Sequence, residues 1–125
     1  MKYLFFIFSF MTFSIAETTY SKEYNNCFQA NSNLTTSDML VCIYSETKRQ
    51  DKRLNKNYKL SIESLSNEKA IELKIVQRLW IKYRNNKCNF YIGLTGGTKD
   101  KLTQADCFLE MTTKRADELD DISYR

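Results

Sequence analysis

The sequence predicts an all-α fold: a small three-to-four-helix bundle, stapled by two disulfides, after a cleaved signal peptide. Three observations lead there. The chain has no proline, and its three glycines sit together at 93, 96 and 97, so helix breakers are confined to one short region. Apolar residues recur at steps of three, four and seven through much of the rest, the period of a helix with one buried face. Finally, four cysteines follow what reads as an export signal; an even count in an oxidising compartment points to disulfides.

The export signal is residues 1–16. Lys2 precedes an apolar run from Tyr3 to Phe13, and Ser14-Ile15-Ala16 places small residues at the cleavage-determining positions. The run is too short for a stable membrane span. Cys27, in "YNNCFQ", has no small apolar residues before it, so a lipid attached there is not expected. The sequence therefore predicts a periplasmic or secreted chain without a membrane anchor after cleavage. Removing 1–16 from the 125 residues leaves 109, enough for one domain, 17–125, and hardly for two.

Composition excludes several functions. Loss of Lys2 lowers the net charge from +4 to +3, too small a surplus to argue for nucleic acid. The runs "KRQDKR" and "KNYK" read as solvated helix faces. There is no histidine, which removes His-dependent triads and most catalytic zinc sites. The cysteines are separated by 15, 46 and 19 residues, without the close pairs of a thiolate zinc site. No metal and no cofactor are expected.

Residues 17–34 are polar and read as irregular. "TTSD" then resembles a capping box, with Thr35 as N-cap and Asp38 three residues on. From there Met39, Ile43, Thr47, Leu54, Tyr58, Ile62 and Leu65 form one helical stripe. It breaks at "SLSNEK", where Ser66 can cap a second helix and Glu68 suits its first turn. The second helix takes Ile71, Ile75, Val76, Leu79, Trp80 and Tyr83 as its apolar positions and ends near Cys88. "NFYIGLTGGTKDK" is the one long loop. A third helix starts near Lys101 or Thr103 and shows Phe108, Met111, Thr112, Arg115 and Leu119 on one face.

Three clusters mix polar and apolar residues on faces that the pattern turns inward. Asp51, Leu54, Asn55 and Tyr58 lie on the first helix; Gln77, Trp80, Arg84 and Cys88 on the second; Phe108, Thr112, Arg115 and Leu119 on the third. Charges facing inward are costly unless paired, so Asp51 is expected to meet Arg84 or Arg115 across a seam.

At these residues the chain resembles the lysozyme inhibitor LprI-like domain of secreted bacterial proteins. That family shows D-x-x-L-N-x-x-Y, matched by Asp51, Leu54, Asn55 and Tyr58. Its Q-R-x-W-[IV]-x-[FY]-R-D-x-x-C is matched by Gln77, Arg78, Trp80, Ile81, Tyr83, Arg84 and Cys88, with Asn85 in place of the acidic residue. A loop Gly-Gly falls at Gly96 and Gly97, and C-x4-T-x2-R-x3-L at Cys107, Thr112, Arg115 and Leu119. The resemblance implies a binding protein that inhibits a lysozyme or other peptidoglycan hydrolase. An envelope immunity protein against a toxin, or a non-catalytic structural or stress-related helper, is the alternative.

The residues themselves favour binding over catalysis. Glu118, Asp120 and Asp121 sit in a charged C-terminal stretch that reads as an exposed helix end, and no Gly-rich turn leads from a strand into a helix. No catalytic residue is assigned. Four cysteines allow three pairings. Cys27–Cys42 would pin the N-terminal arm to the first helix, and Cys88–Cys107 would bracket the glycine loop. Each closes a short loop worth about 3 kcal/mol in the chain-entropy model. A loop held between stapled helix ends is where recognition of a protein partner tends to sit, and Gly96, Gly97, Thr98, Lys99 and Lys101 form its expected contact surface. The remaining signature residues, Asp51 to Leu119, are expected to act as scaffold.

Overall fold

A computed structural model describes residues 19–30 and 32–125; the expected signal peptide lies outside them. Among the described residues the fold is all-α, with α1 at Lys22–Gln29, α2 at Thr36–Ser64, α3 at Asn67–Asn89 and α4 at Thr98–Ser123. The cysteines pair as expected, Cys27 with Cys42 and Cys88 with Cys107. No helix among these residues is long and apolar enough to cross a membrane.

Local chemistry sets the helix ends. Thr35 and Asp38 form the full capping box: the Asp38 N–H donates to Thr35 Oγ1 at 3.2 Å, and the Thr35 N–H donates to Asp38 Oδ2 at 2.9 Å. Between α2 and α3 no glycine or proline is needed. Leu65 and Ser66 both adopt extended backbone, and Ser66 Oγ accepts from the Lys69 N–H. Leu65 meanwhile packs its side chain into the core, which anchors the turn.

α2 and α4 form the centre of the molecule, and they run parallel. Ile43 clusters with Ala105 and Leu109 at one end; Leu54 clusters with Ala116 and Leu119 toward the other. Alongside the second cluster the seam is polar. Arg53 Nη2, Asn57 Nδ2 and Ser61 Oγ, four residues apart on α2, donate to the carbonyls of Thr113, Ala116 and Leu119 at 3.2, 2.9 and 2.6 Å. Such bonds require close backbones, which Ala105, Thr112, Thr113 and Ala116 permit; all four are buried. Arg53 also reaches Asp117 at 2.5 Å. α3 runs back antiparallel to both. Cys88 meets Cys107 at one end, and Gln77 accepts from Arg115 further along.

The region expected to be irregular, 17–34, contains α1. Eight residues are too few for a stable isolated helix, so tertiary contacts must supply its order. Tyr20, Tyr24 and Phe28 meet in sequence, tilted and then edge-to-face, each neighbouring pair of ring centres 5.0 Å apart, and pack on Ile43, Ala105 and Leu109. The second anchor is Glu46, a fully buried residue of α2. Its carboxylate accepts from the Ser21 N–H at 2.9 Å and Ser21 Oγ at 2.5 Å, and from Gln50 and Arg49 at 2.7 and 2.8 Å. Ser21 is also the N-cap of α1. One carboxylate therefore fixes the start of a helix 25 residues upstream.

The faces differ from the expected ones. On α2, Ile43 and Leu54 are buried as expected, but the stripe centre passes through Glu46, Gln50, Asn57 and Ser61. The close seam buries those polar residues because each finds a bonding partner. On α3 the expected apolar face is the wrong one. Ile71, Ile75, Leu79 and Tyr83 are 59, 55, 63 and 59% exposed, and Val76 is 48%. Gln77 and Cys88 face inward, as the mixed cluster on this helix predicts, and the apolar residues buried with them are Ala70 and Leu73, with Trp80 partly buried among the core residues. A row of i, i+4 aliphatics gives helical period without saying which side has a partner. α4 also starts earlier than expected, at Thr98, so Thr98, Lys99 and Lys101 lie in its first turns rather than in the loop.

Two consequences are measurable. Burial alone would raise the Glu46 pKa; the hydrogen bonds from Ser21, Gln50 and Arg49 outweigh it and bring the value down to about 2. The folded value lies below the unfolded one, so the carboxylate contributes stability above about pH 4.3 and loses it as pH falls toward 2. Glu46→Gln should cost about 1.5–3 kcal/mol at pH 7, and its urea midpoint should change less than that of the wild type between about pH 5 and pH 2. On the seam, Asn57→Ala should lower stability by about 1–3 kcal/mol, read from the same midpoints.

Candidate functional site

Because α2 and α4 take each other as principal partners, α3 lies against them along one edge only. An open groove of about 450 Å³ remains between α2 and α3. Asp51, Leu54, Asn55 and Tyr58 line it from α2; Gln77, Trp80 and Arg84 line it from α3. Seven of the ten residues expected as structural signature thus meet at one surface depression. The other three support it. Thr112 Oγ1 accepts from Arg84 at 3.2 Å, Arg115 donates to Gln77 Oε1 at 2.9 Å, and Leu119 is wholly buried in the core beside Trp80.

Arg84 is the chemical centre of this groove. Its guanidinium lies 5.0 Å from the centre of the Trp80 ring and 5.5 Å from that of Phe108, so aromatic faces hold it from two residues. Burial lowers its pKa, opposed by the Asp51 charge; an arginine stays protonated in any case. Its hydrogen bonds go to neutral acceptors, Asn85 Oδ1 from Nε and Nη2 at 3.3 and 3.2 Å, and Thr112. Asn85 stands where the family motif has an acid, and among the described residues no carboxylate is hydrogen-bonded to the cation.

The expected pairing of Asp51 with Arg84 or Arg115 does not occur. Asp51 is exposed and accepts from Asn55 Nδ2 at 3.1 Å, acting on Arg84 only through space. Arg115 takes Gln77 and Glu118 as partners, and its guanidinium lies 5.8 Å from the Trp80 ring centre. Its Nη2 is buried without a hydrogen-bond partner, a cost the nearby indole ring offsets in part. Arg78 and Ile81, matched to the motif but not expected as site residues, complete the α3 wall together with Lys74, which no motif marked.

The glycine-bearing tip is a separate place; none of residues 96–101 lines the groove. Residues 90–97 join α3 to α4, with Gly93 and Gly96 at φ +81° and +78°, where a side chain would be strained. The organising group is Asp100, which the sequence reading passed over. It is buried, and its carboxylate accepts from the Thr95 N–H at 2.9 Å, Thr95 Oγ1 at 2.7 Å and the Gly96 N–H at 2.9 Å. Hydrogen bonds, the Thr95 hydroxyl's first, hold its pKa below the ordinary range. Asp100 stands three residues after the N-cap, Gly97, where a capping-box acid belongs; that spacing was the available signal. Gly96, Gly97, Thr98, Lys99 and Lys101 are all exposed.

Comparison with known proteins agrees with the motif. An uncharacterized protein of Rhizobium meliloti (strain 1021) is 29% identical over 99 residues, spanning 68% of this chain and 71% of the relative. No solved structure matches significantly. The family described as Lysozyme inhibitor LprI matches residues 18–119. A match across that much of the chain, over the same residues that build the groove, the tip and both disulfides, shows that the protein belongs to the LprI lysozyme-inhibitor family.

Proposed function

We propose that this chain is a secreted or periplasmic, non-catalytic inhibitor of a lysozyme or another peptidoglycan hydrolase, and that it docks through the tip at 96–101. The observation that carries this reading is the anchored geometry of the tip. The buried Asp100 carboxylate ties Thr95 and Gly96 to the start of α4, and the Cys88–Cys107 bridge closes the base. A tip already ordered loses little freedom on docking, which favours affinity. Lys99 and Lys101 in the first turns of α4 oppose the helix dipole. They therefore contribute little to the fold and are free to serve recognition.

The chemistry suits a hydrolase cleft. Glycosidases of this kind work with two carboxylates flanking the scissile bond. The Thr98 hydroxyl and the two ammonium groups would place donors and positive charge among them. The net charge of the chain, +4 with its leader, gives no long-range attraction toward a strongly cationic lysozyme. An acidic or neutral hydrolase is the better partner.

The test is a panel of peptidoglycan hydrolases assayed with the purified, oxidised chain. The double variant Thr98→Ala/Lys99→Ala should hold its stability within about 0.5 kcal/mol, as exposed substitutions do, and should weaken inhibition at least about tenfold, a loss of ~1.4 kcal/mol in binding. Undiminished inhibition by that variant would move the contact away from the tip.

A further inference from the structure

The groove between α2 and α3 is not used by tip docking, and its charge is lopsided. Lys74, Arg78 and Arg84 line it, with Asp51 as the single acidic lining residue. A second depression of about 390 Å³ shares Asp51 and Arg84 with it and adds Lys48 and Lys52. Five cations against one carboxylate therefore border a continuous surface with Arg84 at its waist. The lysines of "KRQDKR" belong to this surface, where the sequence alone suggested an ordinary solvated face.

Arg84 is prepared for a carboxylate. A guanidinium has five N–H donors. One each from Nε, Nη1 and Nη2 is used by Asn85 and Thr112, which leaves one N–H on each terminal nitrogen for an incoming acceptor. Trp80 and Phe108 hold the plane in place. Around it the lining is suited to polypeptide. Asn55 spends its amide N–H on Asp51, leaving an oxygen for a main-chain N–H. Gln77 spends its oxygen on Arg115, leaving an NH₂ for a main-chain carbonyl. Leu54, Tyr58 and Ile81 add apolar wall. A bare polyanion would need the lysines but not the amides or this wall.

We propose that this groove binds an extended acidic polypeptide segment of a partner protein, with one of its carboxylates received by Arg84. The site is independent of the inhibitory reading, since a peptide can bind here whether or not the chain blocks a hydrolase through its tip.

Trp80 is the only tryptophan of the chain and lies against Arg84, so its emission reports on the site directly. The test titrates the oxidised chain with an acetylated, amidated Glu–Leu hexapeptide, its Gln–Leu counterpart, and short-chain polyphosphate. The expected result is a saturable change in Trp80 emission with the Glu–Leu peptide alone. Arg84→Lys, which keeps the charge but loses the fork, should weaken it about tenfold. Asp51→Asn, at an exposed position whose loss leaves the fold intact, should tighten it about threefold by removing the one opposing charge. Thr98→Ala/Lys99→Ala should bind the peptide unchanged, which separates this site from the tip. Equal binding of the Gln–Leu peptide, polyphosphate binding as tight as the Glu–Leu peptide, or indifference to both Arg84→Lys and Asp51→Asn would each overturn the proposal.

Discussion

The parallel seam between α2 and α4 is the constraint on which the rest of the molecule depends. Two parallel helices gain nothing from a short connecting loop, so side chains must fix their register. Arg53, Asn57 and Ser61 do this by bonding to backbone carbonyls of α4. Those bonds form only when small residues face the seam, and the close approach then buries polar groups that would be exposed on a looser pair. A change of register by one residue would strand all of them together. The seam is therefore specific as well as stable.

That choice of partners determines the position of α3. With the broad faces of α2 and α4 already joined, α3 can pack only along an edge, held at one end by Cys88–Cys107 and at the other by the turn through Leu65 and Ser66. Its inner face is correspondingly narrow and partly polar. Trp80 packs there against the core, with the Arg84 and Arg115 guanidinium groups near its ring. The groove and the outward row of Ile71, Ile75 and Leu79 are two results of the same arrangement.

Buried carboxylates serve the periphery in a common way. Glu46 holds the start of α1, and Asp100 holds the turn before α4. In each case an acid within a helix gathers N–H and O–H donors from an otherwise irregular segment. The cost of burying its charge is met by several bonds at once. Segments with little apolar area of their own thus acquire fixed shapes, and the tip owes its rigidity to this device as much as to the disulfide.

Much of this was legible in the chain itself. The missing prolines and clustered glycines dictate long helices; "TTSD" and Ser66 mark two helix starts; the even count and wide spacing of the cysteines favour disulfides, and the motif residues identify the family. These are local or compositional facts, and local sequence can state them. The mixed clusters did turn Leu54, Gln77, Cys88, Thr112, Arg115 and Leu119 inward, but the full buried face of α2 and the buried apolar row of α3 could not be read the same way. Ile71, Ile75 and Leu79 satisfy a helical period as well as Leu73 and Gln77 do, and Glu46 looks like any surface acid until Ser21 is brought beside it. The pairing of Asp51 with an arginine failed for the same reason: spacing places residues on a face, but only packing says what stands opposite. Helix existence follows from neighbours along the chain, whereas burial, charge pairing and the groove follow from neighbours across it, and the tertiary structure alone decides those.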